Sequence, residues 1–187
     1  MRKEIGLQNL IIVVLAIAVL AMSVGFATYS ANLQINGTAT FSKALWDVHF
    51  DTGSYNETST IKSTNHTVGD NSVSYTVTLP SPGSTYSFEI NAKNYGTIGA
   101  KLKKITMTGL TEQQQKFITY TVNYAGTDYT TTTDNIGTAL PAGTSSTAKI
   151  TVTVSYVYPA EAADLPSADQ EVTLSAVFDY VDENVTF

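Results

Sequence analysis

Histidine is the first residue type to test for chemistry, because imidazole binds zinc and moves protons near neutral pH. This chain has two, His49 and His66, 17 residues apart. A zinc peptidase sets two histidines one helical turn apart with a glutamate beside the first, as in H-E-x-x-H, so that both rings share a face. Neither histidine has that spacing or that glutamate. Asp47 or Asp51 could complete a three-ligand set, but nothing in the spacing selects either. The pair reads as a strand-face histidine and a loop histidine.

Nucleophiles fare no better. Cysteine is absent, and among many serines no G-x-S-x-G occurs, nor a histidine in a suitable chain order. Asp179, Asp182 and Glu183 gather at a strand end, and Glu161, Asp164, Asp169 and Glu171 in an acidic stretch. The latter lack the D-x-D-x-D-G spacing of a calcium loop, so both groups read as solvated carboxylates. Asn36, Asn56, Asn65 and Asn184 fit glycosylation sequons, which arise by chance in a chain rich in Asn and Thr. The expectation is a protein that is not an enzyme, with no catalytic residue, no metal and no cofactor.

Charge narrows the partners. Asp plus Glu number 16 against 10 Lys plus Arg. Nucleic acid needs clustered cations, and the one basic cluster, Lys101, Lys103 and Lys104, suits a solvated strand face. No nucleic-acid partner is expected. Without cysteine, an exported chain of this size must hold together by packing and hydrogen bonds.

The N-terminus points to the membrane. Arg2 and Lys3 precede Leu10–Ala27, a stretch of 18 residues without charge. That is the lower edge for a spanning helix and long for the apolar region of a secretory signal. Gly25 and Ala27 put small residues at −3 and −1 of a cut between Ala27 and Thr28. Residues 1–27 are therefore expected to be a signal peptide or anchor, and 28–187 a single domain. Cutting is favoured over retention, with signal peptidase as the processing partner and the membrane as a partner before processing.

Beyond the leader the hydrophobic period is two. Leu33, Ile35, Gly37, Ala39 and Phe41 fall on one face, and Asn32, Gln34, Asn36, Thr38 and Thr40 on the other. Further alternating runs lie at 45–50, 72–79, 84–91, 101–109, 117–124, 148–158 and 171–181. Between them stand Pro-Gly and Asn-Tyr-Gly turns. A phase slip between Leu102 and Ile105 predicts a bulge. Residues 51–70 read as a polar loop or a weak edge strand around 58–62, 110–117 as a short helix capped by Thr111, and 125–146 as a hairpin region or long loop. The sum is an all-β antiparallel sandwich of about eight or nine strands behind an N-terminal hydrophobic helix.

Several stretches together resemble the camelysin/TasA family of exported bacterial proteins. They are "GFATYS", "LQINGTATF", "LPSPGSTYSFEINAKNYGTIGAKLKKITMTG", "LPAGTSSTAKITVTVSYV" and "VTLSAVFDY". The resemblance implies a jelly-roll sandwich, export, and self-association into extracellular or cell-surface fibres of a biofilm matrix. It also raises metallopeptidase activity, which the histidine spacing does not support. Strand addition is the physical route to such fibres. The arm 28–41 is the expected donor, through Leu33, Ile35, Ala39 and Phe41. The same alternation also fits a first strand of the chain's own sandwich, and a retained leader would instead make a membrane-tethered binding module.

Overall fold

The computed structural model describes residues 6–27, 37–143, 145–168 and 172–187, without the side chains of 23–27. Helix α1, Leu7–Ala27, follows from the uncharged apolar run. Its described side chains are exposed on every face. Among the described residues no helix is long and apolar enough to cross a membrane. The helix is present, but the expected spanning anchor is not supported. The chain divides into two compact units, with the boundary between Ser42 and Lys43. Residues 37–47 lie in no regular element, so the described part of the expected strand 31–41 is not a strand.

Among the described residues the second unit has eleven strands. In chain order they are β1 (Val48–Glu57), β2 (Asn65–Val68), β3 (Val73–Thr76), β4 (Thr85–Asn94), β5 (Ala100–Thr108), β6 (Ile118–Tyr124), β7 (Thr127–Tyr129), β8 (Thr133–Asp134), β9 (Ala139–Leu140), β10 (Thr147–Tyr156) and β11 (Ser175–Asp182). All pairing is antiparallel. One sheet runs β1-β4-β10-β6-β7; a second runs β11-β5-β8 with β9 also on β5; β2 and β3 form a separate hairpin.

Alternation explains the first sheet. Tyr86, Phe88, Ile90 and Ala92 of β4 are buried, and so are Ala148, Ile150, Val152 and Val154 of β10. The register sets Phe88 opposite Val152 and Ile90 opposite Ile150. Leu102 and Ile105 of β5, with Leu140 of β9, join them in one core, which makes the arrangement sandwich-like. Every residue of this core and its margin lies at or after Val48, so a chain starting at Lys43 carries all of it.

Three expectations change in detail and one, the bulge in β5, is met. β1 continues through the polar residues 51–57, across a bulge between Asp51 and Asn56 that the Ser54 hydroxyl closes. It accepts from the Asn91 N–H at 2.8 Å and donates to the Asp51 carbonyl at 2.6 Å. The expected edge strand near 58–62 is displaced to β2. The slip in β5 is real: Asp179 pairs with Lys104 and Tyr180 with Leu102, leaving Lys103 extra. The helix at 110–117 shrinks to one 3-10 turn, Gln114–Lys116, where Thr111 Oγ1 accepts the Gln114 N–H at 3.3 Å.

Asn94 joins the layers. It is wholly buried, and its amide donates to the carbonyls of Ile98 at 2.8 Å and Leu140 at 3.1 Å. Its carbonyl accepts the Gly96 N–H at 3.0 Å. Gly96 allows close approach, because a Cβ there would meet the Leu45 carbonyl and the Asp47 nitrogen. The segment before β1 is stitched on at that point: Tyr95 N–H donates to Asp47 and Thr97 N–H to Leu45, both at 2.8 Å.

Replacing Asn94 by Leu strands three backbone groups at the sheet junction. The expected loss is roughly 1–3 kcal/mol, the cost of buried unpaired polar groups. Urea unfolding at neutral pH measures it, and an unchanged midpoint would refute the junction role.

Candidate functional site

The second layer is in two parts. Hairpin β2–β3 and the pair β11–β5 pack against the same core face of the first sheet, each over a different part of it. Among the described residues no strand pairs with the edge of β3 away from β2, or with the edge of β11 away from β5. An open groove of about 330 Å³ lies between these edges. Val73, Tyr75, Ala176 and Phe178 are among its wall residues; Phe88, Ile90, Ile150 and Val152 are on its floor.

The walls run in opposite directions. β5 returns from the end of β4 after a short turn, and β11 is antiparallel to β5, so β11 runs with β4. Asp70, just before β3, accepts the N–H of Phe50, which pairs with Ala92 late in β4. Tyr75 packs on Tyr86, early in β4. β3 therefore runs against β4.

Each wall is held separately. Phe178 packs against Phe50 and Tyr124, with ring centroids at 6.3 and 6.0 Å, and Tyr180 O–H donates to the Tyr124 hydroxyl at 3.1 Å. On the hairpin side, Glu57 Oε1 accepts from the Ser63 N–H at 3.0 Å, from Tyr86 at 2.9 Å and from Tyr55 at 3.3 Å. Hydrogen bonds from Ser63, with those from the tyrosines, hold the Glu57 carboxyl down at about 2. The Tyr75 ring packs tilted against Tyr86 and edge-on against Phe88, with centroids at 5.2 Å in both cases. Burial pushes the Tyr75 hydroxyl up to about 12, so it stays a donor. That hydroxyl is buried and has no hydrogen-bond partner among the described residues.

The residues first tested for chemistry are engaged otherwise. His49 stacks on Tyr95 at 4.3 Å and bonds Asp47 Oδ1 at 2.8 Å. His66 stacks on Tyr55 at 4.7 Å and meets Ser63 Oγ at 3.1 Å. Among the described residues no group of three or more His, Asp or Glu is arranged to hold a metal ion. Asp51 pairs with Lys93 at 2.5 Å, and Asp164 with Lys116 at 2.8 Å. Asp182 accepts the Asn184 N–H, and Lys101 lies over the Phe187 ring. Asp169 and Glu171 lie outside the described residues.

Of the arm, Ala39 and Phe41 are described and exposed, Phe41 at 89%. Leu33 and Ile35 lie outside the described residues, as does Thr28 of the expected cut; Ala27 ends α1. Sequence reasoning missed the groove, since its lining alternates like any core strand. The sequence carried no signal for it, because the hairpin 65–76, whose four-residue strands leave β4 partly uncovered, did not read as a hairpin. No family model matches the chain, and no curated protein matches it.

Glu57 gives a pH test of the hairpin wall. Folding lowers its pKa from the ordinary 4.5 to about 2. The stabilisation is therefore full above 4.5 and is lost as pH falls from there through about 2. Urea midpoints at pH 7 and pH 3 should converge in Glu57→Gln relative to the parent. An identical pH dependence in both proteins would rule the contribution out.

Proposed function

We propose that this chain is a structural subunit of an extracellular fibre, assembled by strand addition: the N-terminal arm of one copy fills the groove of the next. The observation that carries this reading is the gap between β3 and β11, a groove with an apolar floor between two unpaired strand edges. Such edges offer free N–H and C=O groups, and an extended segment satisfies them while its alternate side chains fill the pockets beneath. The arm has the matching pattern, apolar at Leu33, Ile35, Ala39 and Phe41, with no proline to interrupt a ladder. An aromatic ring at Phe41, 89% exposed, has apolar surface to bury.

The reading includes export. A secretory signal needs an apolar stretch of only about 7–15 residues, within what α1 supplies. Cleavage between Ala27 and Thr28 frees the arm. On this view the sandwich is a jelly roll of the camelysin/TasA type, and the protein acts by assembly, not catalysis.

Two experiments test it. The intact mass of extracellular protein is expected to correspond to a start at Thr28; a mass retaining 1–27 in a membrane fraction would favour a tethered module. A chain starting at Lys43 is expected to be a folded monomer that forms no fibres but binds a peptide of residues 28–41. Normal fibres from that chain in electron micrographs would overturn donation.

A further inference from the structure

We propose that the donated arm docks with Gly37 against Tyr75, so that a main-chain group of the arm becomes the missing partner of the Tyr75 hydroxyl. This rests on the strand-addition reading and adds the register, which that reading leaves open.

The groove is not uniform along its length. The sheet register places Phe88 opposite Val152, then Ile90 opposite Ile150, then Ala92 opposite Ala148. Side-chain bulk on the floor therefore falls from the Phe88 ring beside Val152, through Ile90 and Ile150, to the methyl of Ala92. Tyr75 of β3 enters at the bulky end, its ring 5.2 Å from those of Tyr86 and Phe88, and Tyr120 also lines the groove. An occupant crossing this aromatic throat has little room for a side chain.

The throat also holds an unmet polar group. The Tyr75 hydroxyl is buried without a partner among the described residues. A buried hydroxyl in that state is costly, and native proteins rarely leave one so. Among the described residues no acceptor reaches that hydroxyl, but a main chain laid over the rings can supply one.

The arm carries one matching feature. In its apolar series Leu33, Ile35, Gly37, Ala39 and Phe41, the central position has no side chain. Glycine inside a strand weakens it, and a usual reason for its presence is close approach of another group to the backbone. A register shift of two residues would keep the apolar face inward but put Ile35 or Ala39 in the throat. Gly37 alone brings bare backbone to Tyr75.

The test uses the chain starting at Lys43, which retains the whole core, and synthetic peptides of residues 28–41. Binding is read by calorimetry. A Gly37→Leu peptide is expected to lose binding to the parent chain and regain it on Tyr75→Ala, whereas an Ala39→Leu peptide is not rescued by Tyr75→Ala. Tyr75→Phe keeps the ring and removes only the hydroxyl. It is expected to leave the chain's own urea midpoint unchanged or higher, and to weaken the parent peptide roughly threefold to tenfold, the worth of one hydrogen bond. Parent and Gly37→Leu peptides binding equally would overturn the register while leaving strand addition intact. Rescue of Ala39→Leu in place of Gly37→Leu would do the same. No binding of the parent peptide to the parent chain would overturn strand addition itself, and the register with it.

Discussion

The side-chain amide of Asn94 is the constraint on which the rest of the second unit depends. It is the one buried polar residue among the described residues, and each of its three hydrogen bonds goes to the main chain. One bond reaches β9, in the sheet opposite its own. The others fix the turn that sends the chain from β4 into β5. An amide buried in this way has few acceptable geometries, so it sets how the layers meet at that end. The same turn brings Gly96 against residues 45–47, and so fixes the course of the chain just ahead of β1.

The opposite layer has no such junction of its own. Hairpin β2–β3 is secured by tyrosine packing and by the Glu57 carboxylate, whereas β11 is secured through β5, Phe178 and the Tyr180–Tyr124 bond. Both parts pack on the first sheet, and among the described residues no strand of one pairs with a strand of the other. A gap between them is the geometric result. Its depth is set by the aromatic rings of Tyr75 and Phe88 at one end and by Ala92 at the other.

Much of this was legible in the sequence, for a physical reason. Strands β4, β6, β10 and β11 are half-buried, so one face had to be apolar and the alternation shows it. The bulge at Lys103 announced itself as a phase slip. The far half of β1 did not, because Asp51–Ser54 is polar and pairs through a bulge closed by a serine hydroxyl. The short strands β7, β8 and β9 span too few residues for any period to register. Asn94 was hidden in a stretch that reads as a turn, since asparagine is common in turns for local reasons. The groove was the least legible feature. Its lining residues are patterned like the rest of the core, and only tertiary placement leaves them uncovered. Reading the histidines as ordinary residues is compatible with their stacking on Tyr95 and Tyr55.

The stitching of residues 45–47 beside 95–97 also has a mechanical meaning. The chain enters β1 along the strand axis, and these hydrogen bonds continue in line with the β1–β4 ladder. Antiparallel ladder bonds lie perpendicular to the strands. Tension applied to the chain ahead of Lys43, directed along β1, is thus shared as shear across many bonds at once, not taken one bond at a time as in peeling. The bulge closed by Ser54 interrupts that sharing after Asp51. The load-resisting segment is therefore the first half of β1 together with its stitched extension, anchored at its root by the buried amide of Asn94.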